Sequence, residues 1–283
     1  MTILYDEVRM VWIYCFMKLS IQLVHYRETS DLSRFLETIF QFSPSCPFEV
    51  VVVNNGKSSD EFQRLVEKYL RKVQVIQSDR NLGYGGAHRV AAQVSGGEYV
   101  AFCNCDLRVT SGAWDKLVRY LDSHPQVGIV GPQLVYPSGK VQESYRRFPR
   151  LMDVFLKRVG IGGRRLKKYL MSEEMPVGPI QVDWLVGAVL VIPRRIYDRV
   201  GGFDPRYFLF FEDMDLCRSV QSVGYSVVYL PEAKFVHAEH RLSDGGSLYK
   251  SLFKKSFWWH LESMGKYFWK YRMGWNVRCR KRY

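Results

Sequence analysis

The chain lacks a paired-cysteine signature. Its six cysteines, Cys15, Cys46, Cys103, Cys105, Cys217 and Cys279, include no CxxC pair and no histidine partner at zinc-finger spacing. That excludes a zinc-stapled module, and with no secretory signal ahead of them the cysteines are expected as free thiols of a reducing cytosol. A run long enough to cross a bilayer is also missing: the apolar stretch Met10–Met17 is too short, and Asp6 and Glu7 stand where an export signal carries positive charge. Residues 1–17 are therefore expected to be an N-terminal extension or the product of a misassigned start. Internal repeats and low-complexity tracts are absent as well.

What the chain does carry is apolar mass and unevenly placed charge. With 283 residues and 47% hydrophobic composition it can bury a large core. Residues 18–240 are expected to form one α/β domain and residues 241–283 a basic, aromatic helical tail. The formal charge of +13 is concentrated in two places. Arg146–Lys168 holds nine basic residues against Asp153, and Arg241–Tyr283 holds eleven against Asp244 and Glu262, so the remainder is net negative. The tail interleaves its cations with Trp and Phe at helical spacing, which suits an anionic membrane surface and argues against a nucleic-acid partner. Phe253, Phe257, Leu261, Met264 and Phe268 recur at three- and four-residue steps as one packing face. Trp258, Trp259, Trp269, Lys254, Lys255, Lys266 and Lys270 are then left for lipid headgroups.

Apolar, β-branched runs predict strands at Leu19–Val24, Glu49–Val53, Val73–Gln77 and Tyr99–Cys103. Between them the pattern predicts helices over Leu32–Phe42 and Ser59–Lys72, and a glycine-rich turn, Asn81–Gly86, that opens a third. Strands alternating with helices at this spacing imply βαβ units, hence a mostly parallel sheet with its crevice outside the carboxyl ends of the strands. Further on, Gly131–Tyr136 and Gly187–Ile192 are expected strands and Arg194–Val200 a short helix. Glu212–Val223 is expected as a helix stopped by Gly224, and Val227–Leu230 as a strand closed by Pro231.

Polar residues at strand ends are the place to seek chemistry. Asn104-Cys105-Asp106 directly follows Tyr99–Cys103. A carboxylate there suits a hard cation, Mg²⁺ or Mn²⁺, whose task in breaking a sugar–phosphate bond is to neutralise the leaving diphosphate. A turn-initiating Asn/Asp cluster accounts for the same residues without chemistry. A second acidic group, Glu212-Asp213-Met214-Asp215, opens a helix after Gly201-Gly202-Phe203-Asp204 and the aromatic run Tyr207–Phe211. Helix-dipole complementation explains one or two of these acids. It leaves the aromatic wall unexplained, and a carboxylate beside such a wall is placed to take the proton of an attacking sugar hydroxyl.

Six segments carry a resemblance: Val51-Val52-Val53-Asn54-Asn55, Asn81-Leu82-Gly83-Tyr84-Gly85-Gly86, Asn104-Cys105-Asp106, Asp183-Trp184-Leu185-Val186-Gly187-Ala188, Gly202-Phe203-Asp204 and Phe211-Glu212-Asp213-Met214-Asp215-Leu216-Cys217. In this order they resemble the GT-A-fold inverting glycosyltransferases of family 2, above all the bacterial rhamnosyltransferases that build surface polysaccharides. The likeness runs from about Leu19 to the C-terminus. It implies a Rossmann-like, mostly parallel central sheet flanked by helices, with Asp106 binding the metal and Asp213 acting as general base. It further implies that His25, Tyr26, Arg27, Asn54 and Asn55 hold the nucleoside and that Asn104 and Glu212 border the substrate. The family often has Asp where this chain has Asn54, and Asn where it has Arg27. Backbone N–H groups of Asn81, Gly83, Gly85 and Gly86 would approach the diphosphate, and Trp184 and Gly187 would line the sugar site. A histidine near the position of His237 is a metal ligand or diphosphate contact in some enzymes of this fold; a structural histidine satisfied by its neighbours is the other reading. Cys103 and Cys105 are read as packing residues.

The reaction so implied is a single displacement with inversion. Its expected donor is dTDP-L-rhamnose, with UDP-galactofuranose, UDP-glucose and GDP-mannose as alternatives. Its expected acceptor is a polyprenyl-diphosphate-linked sugar, met by a protein peripheral to the inner face of the cytoplasmic membrane. A sugar-phosphate nucleotidyltransferase would need a basic, glycine-rich phosphate loop, which is absent between Leu19 and Arg34. A basic nucleic-acid or membrane-binding module without catalysis leaves the paired acidic motifs unexplained.

Overall fold

A computed structural model of the chain describes residues 17–154, 163–171, 176–237 and 255–272. Residues 1–16, Phe253, Lys254 and the tail beyond Arg272 lie outside the described residues. In chain order the elements are β1 (Leu19–His25), α1 (Thr29–Gln41), β2 (Phe48–Asn54), α2 (Asp60–Tyr69), β3 (Gln74–Gln77), α3 (Gly83–Val94), β4 (Tyr99–Cys103), β5 (Leu107–Val109) and α4 (Ala113–Ser123). There follow β6 (Val127–Val135), β7 (Tyr145–Arg146), α5 (Gly163–Leu170), β8 (Ile180–Val182), β9 (Trp184–Leu185), β10 (Val189–Pro193), α6 (Arg194–Val200), α7 (Glu212–Ser222), β11 (Ser226–His237) and α8 (Lys255–Arg272).

A nine-stranded sheet runs in the order β3-β2-β1-β4-β10-β6-β11-β5, with β8 attached to β11. Strands β1 to β4 are parallel along this path and β6 is parallel to β11, whereas β10 runs against both of its neighbours. Val50–Val53 and Tyr99–Cys103 are buried on both faces, which is why they are unbroken apolar runs. Val50, Val52 and Ala101 join the core formed with α1, α2 and α4, while Val100 and Phe102 join the opposite core formed with α6, α7 and α8. Val51 and Val53 meet Ala87 and Ala91 of α3.

Register sets the edge of the crevice. His25 lies level with Asn54, and Asn54 with Gln77, while Leu23 is level with Cys103. Asn104–Asp106 therefore leaves the sheet at the same edge as His25 and Asn54. Strand β10 begins there in the opposite sense, with the Asn104 N–H donating to the Ala188 carbonyl at 3.0 Å.

Several elements depart from expectation, with β5, β7, β8, β9 and α5 among those not expected. Helix α4 answers to no expected element, although Trp114, Leu117, Val118 and Leu121 fall at helical steps and are buried. Strand β11 was expected to close at Pro231, because proline cannot donate to a ladder. Instead its register against β6 shifts between Leu230 and Lys234, and the strand resumes to His237. Beyond this irregularity β11 pairs with β5, setting His237 opposite Leu107. The bulge thus delivers His237 beside Asp106.

Helix α8 docks by a different face from the apolar stripe. Its buried residues are Ser263, Tyr267 and Lys270, with Met264 and Phe268 packed partly against the core. Lys270, expected at lipid headgroups, is buried: its Nζ lies 2.7 and 2.8 Å from the Asp215 carboxylate and 3.0 Å from Asp204 Oδ2. Trp259 is likewise turned inward, its ring 4.7 Å from that of Phe208. Hydrophobic periodicity registers apolar side chains only, and here two buried carboxylates on the body select the helix face. Burial works to raise Asp204, yet hydrogen bonds from Arg206 and Lys270 overcome it and hold the carboxyl well below its usual range. Replacing Lys270 with Met strands the Asp215 charge, so urea unfolding is expected to show a loss of about 3–5 kcal/mol. Lys266→Gln, which removes a surface pair with Glu262, is expected to cost about 1 kcal/mol or less. Equal stability of Lys270→Met and wild type would contradict the docking mode.

Candidate active site

The carboxyl ends of β1 to β3 form a polar row. Asn54 Oδ1 accepts from His25 Nδ1 at 2.9 Å, and Asn54 Nδ2 donates to Gln77 Oε1 at 2.8 Å. His25 Nε2 lies 3.2 Å from Thr29 Oγ1, and the ring stacks on Phe62. Burial lowers the His25 pKa, keeping the ring neutral. The side chains of His25 and Asn54 are thus spent inside the protein. Tyr26 and Arg27 stand outside, the guanidinium 4.8 Å from the Tyr26 ring centroid, and they present the surface at this end of the crevice.

Asn55 staples the glycine-rich turn to β2. Its Nδ2 donates to Asn81 Oδ1 at 2.9 Å and to the Gly83 carbonyl at 3.0 Å, and its Oδ1 accepts from the Leu82 N–H at 2.8 Å. Asn81 Oδ1 also accepts from the Gly83 N–H. Gly83 sits at φ +73°, and a Cβ there would collide with the Phe208 carbonyl. Gly85 packs on Phe203 and Glu212, where a Cβ would stand 3.1 Å from Phe203 Cβ. Gly86 occupies the first turn of α3, where a Cβ would come 3.3 Å from the Leu82 side chain. The turn is therefore wedged between the aromatic run and α7.

That aromatic run bends sharply to launch α7. Phe210 and Phe211 adopt left-handed backbone, φ 70° and 67°, which costs on the order of 1–3 kcal/mol each and persists only where surroundings impose it. Rings of His260 and Tyr267 from α8 pack against Phe211 and supply that constraint.

The three acids of α7 have separate fates. Asp215 is bound to Lys270 and to the Tyr271 hydroxyl. Asp213 is half-buried; its Oδ2 accepts from the Gly187 N–H at 2.9 Å and its Oδ1 from the Met214 N–H at 2.8 Å. Burial raises the Asp213 carboxyl above its ordinary value, against the pull of these N–H groups and of Arg146. Glu212 is buried and its Oε2 has no partner. Burial, with the adjacent Asp213 charge, drives it well above the carboxylate range. Glu212 accordingly keeps its proton, and Asp213 is the acid free to act as a base. Gly187 carries no side chain where a Cβ would stand 3.1 Å from Asp213 Cβ. Trp184 is a buried wall whose Nε1 donates to the Arg147 carbonyl.

Asp106 and His237 meet across β5 and β11, with His237 Nε2 3.2 Å from Asp106 Oδ1. Gln142 Oε1 lies 2.7 Å from His237 Nδ1. An amide oxygen only accepts, so Nδ1 carries a hydrogen, and with the ring in its neutral form Nε2 turns a lone pair toward the carboxylate. The contact is not aligned as a hydrogen bond, and Nε2 is buried without a partner. In that form two acceptors stand face to face, an arrangement that suits a cation. Among the described residues no group of three or more His, Cys, Asp or Glu side chains converges. The pair fits an ion that draws its other ligands from phosphate oxygens and water.

The sequence profile of glycosyl transferase family 2 matches residues 20–198, across the sheet, the glycine-rich turn and Asp106. The chain belongs to glycosyl transferase family 2. The N-acetylglucosaminyl-diphospho-decaprenol L-rhamnosyltransferase of Mycobacterium tuberculosis is 29% identical over 275 residues, 90% of this chain and 87% of that one. Rhamnosyltransferase WbbL of Escherichia coli is 28% identical over 172 residues, 60% of this chain and 61% of its own. Among solved structures, GalNAc-T7 with UDP, GalNAc and Mn²⁺ superposes with a TM-score of 0.63 at 16% identity, covering 84% of this chain and 45% of that one. A mannosyltransferase of Pyrobaculum calidifontis in complex with GDP-Man and Mn²⁺ gives a TM-score of 0.55 at 17% identity, covering 82% and 59%. These likenesses establish the GT-A fold of the transferase.

Sequence reasoning missed Gln142, Ser144 and Arg146. The signal available was polar residues at alternate positions in a segment leading out of β6. In the transferase, Asp213→Asn is expected to lower turnover by roughly 10²–10⁴-fold, the share of general-base catalysis. A raised carboxyl loses its proton later than a free one, so wild-type kcat/KM is expected to climb with pH through a midpoint above the ordinary Asp value of 3.8. A midpoint at or below that value, or near-normal turnover of Asp213→Asn, would remove Asp213 from the role.

Proposed function

We propose that the protein transfers L-rhamnose from dTDP-L-rhamnose to a polyprenyl-diphosphate-linked sugar in cell-surface polysaccharide synthesis. The observation that carries the reading is Asp213, a half-buried carboxyl of raised proton affinity fixed by the Gly187 N–H, sharing one crevice with the Asp106–His237 pair. The choice of donor and acceptor is supported by similar enzymes, an N-acetylglucosaminyl-diphospho-decaprenol L-rhamnosyltransferase that matches 90% of this chain and a dTDP-rhamnosyl transferase of Shigella flexneri.

Asp213 accepts the proton of the acceptor hydroxyl while that hydroxyl attacks the anomeric carbon, and the product carries inverted configuration. Glu212, neutral beside it, adds no second negative charge. Asp106 and His237 would hold a divalent cation, whose contribution would be to offset the charge of the leaving diphosphate. A carboxylate with an imidazole favours Mn²⁺ over Mg²⁺, which prefers oxygen throughout. The turn Asn81–Gly86 at the start of α3 borders the same diphosphate, with the Leu82, Gly83 and Tyr84 N–H groups already spent on the Asn55 and Asn81 side chains and the Phe208 carbonyl. Tyr26 and Arg27 flank the nucleoside, and Asn104 borders the substrate where it leaves β4.

The transferase meets its acceptor at a membrane surface. Among the described residues no helix is long and apolar enough to cross a membrane. Helix α8 turns Trp258 and Trp269, 59% and 68% exposed, outward on one side, with Lys255 and Arg272 exposed at its ends. Aromatic rings and cations on one side of a helix suit the headgroup layer, each cation adding roughly 1 kcal/mol near an anionic leaflet. Residues 18–240 then serve as catalytic domain and 241–283 as the membrane-associating segment, with α8 belonging to both through Lys270.

The test uses purified protein with dTDP-L-rhamnose and a polyprenyl-diphosphate-linked acceptor in anionic vesicles. Rhamnosyl transfer is expected, with co-sedimentation of the protein. In calorimetry Mn²⁺ is expected to tighten dTDP binding by wild type, and Asp106→Ala and His237→Ala are expected to lose that dependence. No transfer with this donor, or metal-dependent affinity intact in both variants, would contradict the proposal.

A further inference from the structure

Four buried side-chain atoms without a hydrogen-bond partner gather at this crevice: Ser144 Oγ, Arg146 Nε, Glu212 Oε2 and His237 Nε2. The last two belong to the acid pair and the cation site. The first two lie on the segment that joins β6 to β7, where Gln142, Ser144 and Arg146 are 4%, 2% and 8% exposed while Glu143 faces solvent. The backbone here is extended: the Gln142 N–H donates to the Leu134 carbonyl and the Val186 N–H to the Ser144 carbonyl, both at 2.8 Å, and Arg146 pairs with Trp184. Extended chain sends alternate side chains to one face, so the three polar groups form a row.

The row has two fixed ends. Gln142 reaches His237, at 2.7 Å from its Nδ1. The Arg146 guanidinium stands 5.2 Å from the Trp184 ring centroid, and its charge acts on Asp213. Ser144 lies between them, bonded through its carbonyl to Val186, whose neighbour Gly187 holds Asp213. Single displacement requires the transferred sugar to sit between the leaving diphosphate at Asp106–His237 and the acceptor hydroxyl at Asp213. The row spans that interval.

We propose that Ser144 and Arg146 bind hydroxyl groups of the donor's sugar ring and determine which sugar is accepted. This rests on the glycosyl-transfer reading given above. Arg146 Nη2 donates to the Glu143 carbonyl at 3.5 Å and the guanidinium also bonds the Tyr169 hydroxyl. Its Nε–H and the Ser144 hydroxyl are buried without a partner, and these two are placed to donate to sugar oxygens. A buried donor left unpaired bears its full desolvation penalty, and a site built to pair such donors discriminates strongly against sugars lacking the matching oxygen. Lysine keeps the charge of Arg146 but offers no Nε–H in the plane of a fork.

Calorimetry of wild type, Ser144→Ala and Arg146→Lys against dTDP-L-rhamnose and against dTDP, each with Mn²⁺, separates the sugar from the nucleotide. Both variants are expected to weaken dTDP-L-rhamnose binding about tenfold or more while keeping dTDP affinity within about twofold. Ser144→Ala is expected to unfold in urea no earlier than wild type, because it deletes an unpaired hydroxyl. Equal weakening for both ligands would place the row at the diphosphate and overturn the proposal. Unchanged sugar affinity, or a destabilised Ser144→Ala, would overturn it as well. Wild type binding dTDP but gaining nothing from the sugar would defeat this inference alone; wild type binding neither ligand would defeat the functional reading beneath it.

Discussion

The peptide unit of Gly187 is the joint on which the crevice depends. Its N–H donates to Asp213 and its carbonyl accepts from the Tyr84 hydroxyl, so one residue ties the start of α7 to the glycine-rich turn. It stands just before β10, the strand that runs against its neighbours, and only that reversal brings a backbone N–H to the carboxyl edge of the parallel strands at this point. A side chain at position 187 would press on Asp213 itself. The absence of Cβ there is a condition of the placement of Asp213, and Trp184 and Leu185 of β9 fix the segment by pairing with Arg146 and Tyr145.

Three carboxyls within four residues of α7 are given three environments. Lys270 and Tyr271 from α8 neutralise Asp215, and its burial is then tolerable. Glu212 has no cation and keeps its proton. Asp213 alone of the three is partly exposed, is fixed by N–H groups, and is raised by burial above a free aspartate. The same helix α8 packs His260 and Tyr267 against Phe211, whose left-handed backbone starts α7. Helix α8 therefore contributes to the geometry of Asp213 through the start of α7.

Much of this was legible in the sequence, and what was not has a physical reason. The unbroken apolar runs of β2 and β4 marked a sheet buried on both faces, and Asn104–Asp106 and Glu212–Asp215 stood out as acids at element ends. The likeness to family 2 agrees with the profile match, and the fold with the GT-A neighbours. The resemblance already pointed both Asp106 and His237 toward the metal, but the strand that joins them could not be read from periodicity, since it requires β11 to continue past Pro231 through a change of register. Nor could the inward turn of Lys270, because an apolar stripe ranks residues by hydrophobicity and is blind to a buried ion pair. Of the row Gln142–Ser144–Arg146 only Arg146 belongs to the basic stretch Arg146–Lys168, and alternate polar residues over so short a segment carry no periodic signal.

The central claim is that Asp213 activates the acceptor on one side of the sugar while the diphosphate leaves from the other. Proton NMR of the first turnovers with dTDP-L-rhamnose and a soluble acceptor reads this directly from the anomeric signal of the product. The account predicts a single anomer of configuration opposite to that of the donor. A product with the donor's configuration would contradict it, because retention demands either a covalent intermediate or attack from the leaving-group side.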